Sequence, residues 1–158
     1  MKDSLKTGVT FGVTSGVITS LGLMVGLHSG TQSKLAVVGG IVIIAVADAF
    51  SDAFGIHISE ESKNDGTALE VWESTAATFF AKCLVALTFA VPVLWLDLDV
   101  AIVVSALWGL SLLAALSYVL ARTQRAPAWK VIGEHVGIGV AVIAITHYLG
   151  VWVRRTFE

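Results

Sequence analysis

The chain has 158 residues, 56% of them hydrophobic and 14% charged, with a mean hydropathy of +0.83, too apolar and too poor in charge for an ordinary soluble domain of this length. A formal net charge of −2 with no basic tract argues against nucleic acid as a partner. The single cysteine, Cys83, excludes an intrachain disulfide and any CxxC metal or redox motif.

Apolar runs of roughly 20 residues, the length a helix needs to cross ~30 Å of hydrocarbon, follow one another with short polar breaks. Helices are the expected form because each satisfies its own backbone in lipid. The reading is an all-α polytopic membrane protein, one membrane domain over 1–158, with five transmembrane helices at about 7–27, 35–58, 75–96, 100–121 and 130–153.

The first span follows Lys2 and Lys6 and so resembles a signal peptide, but it is too long and Gly-rich. His28 to Gln32 offers no small-x-small cleavage site, so it reads as a retained span. Gly8, Gly12 and Gly16 recur four apart and the interval repeats in Gly22 and Gly26, leaving one face nearly bare backbone. Two readings fit: packing within the monomer, or the interface of a homodimer. After a polar break at 28–34, the second span carries Asp48 and Asp52 within the run from Ala47 to His57. An acidic cytoplasmic loop over 59–74 then supplies Glu60, Glu61, Asp65, Glu70 and Glu73 around a turn at Asn64-Asp65-Gly66, with a helix able to start at Glu70-Val71-Trp72-Glu73. The third span contains Lys82 and Pro92, the latter marking a kink. Asp97-Leu98-Asp99 is a tight turn into the fourth span, and a basic segment from Arg122 to Lys130 with Pro127 leads to the fifth. That span opens with Glu134 and His135 about one turn inside the boundary, and its His147 reads as an interfacial or packing residue.

Five spans put the termini on opposite sides. Lys2, Lys6, Lys63, Arg122, Arg125 and Lys130 fall on the N-terminal side against Lys34, Arg154 and Arg155 on the other, which places the N-terminus in the cytoplasm and the C-terminus outside the cell membrane.

The chemistry concentrates in the second span. Asp48 and Asp52, four residues apart, share one helix face. Each ionised aspartate costs ~2.5–3.5 kcal/mol at mid-membrane on insertion scales, so the two need a partner, a proton, water or a cation. Neighbouring carboxylates push one another toward protonation and a divalent cation reverses that push, which would couple proton release to metal binding. Lys82 lies at a depth similar to Asp52 and would neutralise it, whereas no basic residue is evidently level with Asp48. Glu134 and His135 are competent metal ligands and proton carriers that also sit close enough to an interface to reach water. The acids of the 59–74 segment would attract cations to a pore mouth or simply be solvated. No nucleophile elbow, P-loop, zinc-protease motif or dinucleotide fingerprint occurs, so an enzyme is not expected.

The stretch from Phe11 to Gly26 looks like the FGxxDGxxSxxGxxxG pattern of the vacuolar iron transporter family, in particular its small prokaryotic branch without long cytoplasmic metal-binding helices. Ala47 to Ser62, with Gly55-Ile56-His57-Ile58-Ser59, is similar to that family's small-residue second helix. Trp129 to Trp152, with Gly137, Gly139, Thr146 and Gly150, resembles its closing helix. The resemblance covers nearly the whole chain in span order. It implies a five-helix homodimer with the ion path near the first-span interface, exporting divalent Fe or Mn from the cytosol in exchange for protons. The family's first-span aspartate falls on Ser15, its second-span methionine on Asp52 and its nearby glutamate on Ile56.

Together these give an expected divalent-metal transporter without a resident cofactor. Asp48 and Asp52 form the intramembrane site, Thr14, Ser15 and Ser51 line the path, and Glu134 and His135 serve the cytoplasmic entrance. Glu60, Glu61, Glu70 and Glu73 concentrate cations, and Gly8, Gly12 and Gly16 form the dimer interface. An all-oxygen site favours harder ions than one containing sulfur. The competing expectation is a non-transporting assembly protein whose acids pair with Lys82 or with a partner, or a relative of the family with a different cargo.

Overall fold

The computed structural model describes residues 3–63 and 66–157; the expectations placed on Lys2, Asn64 and Asp65 fall outside them. The described residues form helices α1 (Asp3–Thr31), α2 (Lys34–Ser62), α3 (Ala68–Thr88), α4 (Ala90–Trp95), α5 (Leu98–Gln124) and α6 (Ala128–Phe157). With α3 and α4 counted as one span, five helical segments are long and apolar enough to cross a membrane. Each overlaps an expected span and extends beyond it by several residues at one end or both, the third stopping at Trp95, one residue short of its expected end.

That extension removes most of the expected 59–74 loop. α2 continues to Ser62 and α3 begins at Ala68, so Glu60 and Glu61 belong to the last turn of one helix and Glu70 and Glu73 to the first turns of the next. Thr67 sets the start of α3 through a capping box: its hydroxyl accepts from the Glu70 backbone N–H, and the Glu70 carboxylate accepts from the Thr67 N–H at 2.8 Å.

The third span is broken rather than smoothly kinked. Pro92 has no N–H for the Thr88 carbonyl, four residues back, and its ring crowds that carbonyl. The chain answers with one tight turn, the Phe89 N–H donating to the Ala86 carbonyl, before α4 starts. The Lys34 ammonium donates to the Leu94 and Leu96 carbonyls, satisfying the end of α4 from the start of α2.

α1 is the hub of the bundle. Of its apolar window 44% is buried inside the protein, against 11% for α6, and it packs on α2, α3, α5 and α6. Its glycines explain how it holds so many neighbours. Gly8, Gly12 and Gly16 meet successive turns of α3 in the same chain direction, at Ser74, Thr78 and Lys82, and a Cβ at Gly12 would lie 2.6 Å from the Thr78 carbonyl oxygen. Gly22, Gly26 and Gly30 meet α6 at Thr146 and Gly150 in the same way. The glycine face is therefore covered within the protomer. This corrects the reading of Gly8, Gly12 and Gly16 as a homodimer interface: α3 occupies that face, and the alternative of internal packing holds.

Val17, Leu21 and Met24 of α1, Val37 and Ile41 of α2, Phe89 and Val93 of the third span, and Ala101 and Leu113 of α5 form the apolar core. Most other large apolar side chains point outward, among them Phe50, Phe54, Leu84, Leu107, Ile145 and Leu149, as a surface turned to lipid would require.

Candidate functional site: an Asp–Lys–Asp triad

Asp48 is the fifteenth of the 29 residues of α2, which at 1.5 Å per residue puts it about 21 Å from either end of the helix. Asp52 lies one turn further along. Both flank the buried stripe of Val37, Ile41, Ala45, Ala49 and Ala53, by which α2 packs into the bundle.

Facing them is Lys82 of α3, on the buried stripe of Val71, Ser74, Thr78 and Ala86. Its side chain is only 1% exposed, yet its ammonium lies 2.6 Å from Asp48 Oδ2, 2.5 Å from Asp52 Oδ2 and 2.9 Å from Ser15 Oγ of α1. The Ser15 hydroxyl donates in turn to Asp52 Oδ2 at 2.5 Å. Gly16 makes the approach feasible: a Cβ there would lie 3.4 Å from Lys82 Cγ and 3.2 Å from the Lys82 carbonyl oxygen, so the glycine leaves room for the lysine stem along α1.

Three helices thus converge on one ammonium. The expectation that Asp48 has no basic partner is corrected. Carboxylates four residues apart on a helix are separated by about 6 Å along its axis, and one long lysine placed between them reaches both. Ser15 joins the site directly. Thr14, also expected to line a path, is half-buried and donates to the Thr10 carbonyl at 2.8 Å, and Ser51 is exposed on the outer side of α2.

Two features define what the triad can do. Counted as ionised groups, two carboxylates and one ammonium leave a single negative charge, so the cluster is one positive charge short of neutrality. Its carboxylates are also not sealed: the side chains of Asp48 and Asp52 are 31% and 21% exposed. The donors available to a cation are carboxylate and hydroxyl oxygens, a hard set, with the lysine ammonium as competitor for the same lone pairs.

The remaining expected site residues are not gathered here. Among the described residues no three His, Cys, Asp or Glu side chains are grouped as a metal site. His135 Nδ1 is 2.7 Å from the buried Ser117 Oγ and ties α6 to α5, while Glu134 is exposed on α6. The acids near the α2–α3 connection have local partners: Glu60 pairs with Lys63 at 2.6 Å, Glu70 caps α3, and Glu73 accepts from Ser4 Oγ at 3.0 Å. Glu60 and Glu61 line a cavity of about 270 Å³ with His57 and Trp72. His57 Nδ1 lies 3.0 Å from Thr75 Oγ1, and the histidine ring packs edge-on against Trp72, holding α2 and α3 together at that end.

Comparison of the chain with family models, with curated proteins and with solved structures returned no significant match.

Proposed function

We propose that this protein is a carrier that moves cations across the membrane in exchange for protons, with the Asp48–Lys82–Asp52 triad as the place where the two compete. The cargo implied by the resemblance is a divalent ion of the Fe or Mn type, exported from the cytosol. One observation carries the reading: half-way along a membrane helix, two carboxylates share a single buried ammonium and keep part of their surface open. A cluster one positive charge short of neutrality in a medium of low dielectric draws in a proton or a cation. An incoming divalent ion would take the carboxylate oxygens now held by Lys82, and protons returning to the acids would release it. Ser15 supplies a further oxygen beside Asp52.

Flux in sealed vesicles tests this. Mn²⁺ and Fe²⁺ uptake driven by an imposed pH gradient is expected for the native protein and should be lost in Asp48→Asn with Asp52→Asn; equal flux in both removes the triad from the transport path.

A second reading has its own support. Lys82 is 1% exposed and bonded to three oxygens, which is what neutralisation of buried acids for assembly alone requires. On that reading the protein is a non-transporting membrane component, and cations leave its stability unchanged.

A further inference from the structure

At the end of the bundle opposite the N-terminus, a second polar region lies apart from the triad. α1 and α6 cross here backbone to backbone, a Cβ on Gly150 coming within 3.0 Å of the Gly30 nitrogen and 2.9 Å of Ser29 Cβ. This close crossing brings His147 of α6 to Ser29 of α1, with Nδ1 2.7 Å from Oγ. Beyond it opens a cavity of about 460 Å³ lined by His28, Gln32, His147, Val151, Arg154 and Arg155.

Basic side chains dominate the described lining of this cavity. Arg154 and Arg155 come from the last turn of α6. Among the described lining residues there is no carboxylate, and His28 Nε2 lies 2.8 Å from Asp99 Oδ1 of α5. The helix dipole accounts for arginines at a helix C-terminus, but not for a cavity walled by two arginines, two histidines and a glutamine amide. At ~30 Å³ per water the volume holds roughly fifteen waters, ample for a tetrahedral oxyanion. His147 keeps its second ring nitrogen without a hydrogen bond among the described residues. The guanidinium fork matches phosphate oxygens in pairs. Tyr148 and Trp152, 73% and 59% exposed on the same stretch of α6, are the aromatic types that settle at the headgroup level of a bilayer, a level at which the arginines beside them would meet phosphates.

We infer that this cavity binds a phosphate anion, with Arg155 and His147 as the principal donors. Two sources share that chemistry, the headgroup of an anionic phospholipid and free phosphate, and the experiment separates them. Native mass spectrometry of the full chain, purified with phosphatidylglycerol and with diacylglycerol of the same acyl chains, reads lipid retention. Thermal stability in lipid-free detergent, titrated with inorganic phosphate, reads the free anion. Native protein is expected to retain phosphatidylglycerol at least fivefold better than diacylglycerol, and Arg155→Gln with His147→Gln to abolish the preference. Lys130→Gln, at the other end of the bundle, should leave it intact. Stabilisation by inorganic phosphate without lipid preference, lost in the same double variant, assigns the cavity to a soluble anion. Arg155→Gln alone changes an exposed residue and reports on binding if the double variant does not fold. No lipid preference and no response to phosphate, or a preference equal in native protein and in Arg155→Gln, overturns the inference.

Discussion

Replacing Lys82 by Met separates the two readings of the triad. Methionine keeps an unbranched stem of similar bulk against Gly16, so the packing of α1 on α3 is preserved and the change is one of charge. Asp48 and Asp52 then lose the ammonium that lies 2.6 and 2.5 Å from them. Breaking a buried ion pair from one side costs about 3–5 kcal/mol. The partial exposure of both carboxylates, 31% and 21%, lets water or a counter-ion relieve some of that, so the lower end, about 3 kcal/mol, is expected. Unfolding by SDS in mixed micelles, followed through the fluorescence of the five tryptophans, measures it. Adding Asp48→Asn and Asp52→Asn to the lysine variant should recover most of the loss, because no charge is then left unanswered. Mn²⁺ divides the readings. If the acids form a cation site, the ion binds Lys82→Met better than the native protein and returns about 2.7 kcal/mol at a concentration 100 times its Kd. If they serve assembly alone, the variant stays destabilised whatever is added. A Lys82→Met protein as stable as the native one without cation would refute the premise that the ammonium balances the acids.

Other consequences follow from the same geometry. Ser15→Ala removes the hydroxyl that bridges Asp52 and Lys82 and should lower stability by about 0.5–1.5 kcal/mol in the same SDS titration. Gly12→Leu places side-chain atoms where the Thr78 carbonyl now sits 2.6 Å from the Cβ position; α1 and α3 must part, and the yield of folded protein on size-exclusion chromatography should collapse. Gly137→Leu, where a Cβ meets nothing within 4 Å, should fold as the native chain does. Thr67→Val removes the capping box of α3 and should cost about 1 kcal/mol, seen as faster amide exchange confined to its first turn.

Five helical segments long and apolar enough to cross a membrane were legible from the chain itself, because hydrocarbon admits few alternatives to a self-bonded helix of sufficient length. The pairing of Asp48 with Asp52 on one face was equally legible, since a helical repeat places residues four apart together. Helix ends were less so. Ser62 and Ala68 bound a much shorter connection than the acidity of 59–74 suggests, because Glu is a good helix former and acidity alone does not end a helix. Glu134 and His135 were singled out by residue type, but α6 packs on α1 and α5, where His135 meets Ser117 and Glu134 is exposed, and neither contacts the triad.

Local pattern thus supplied the acids, the glycines and the lone lysine of the third span, each as a property of its own helix. Only the tertiary structure decided who meets whom. It gave the first glycine stripe to α3 rather than to a second copy, set Lys82 against both aspartates rather than one, and brought His147 of α6 to Ser29 of α1. The reason is geometric: periodicity fixes which residues share a helix face, whereas the rotation and depth of one helix against another follow from side-chain packing summed over the whole bundle.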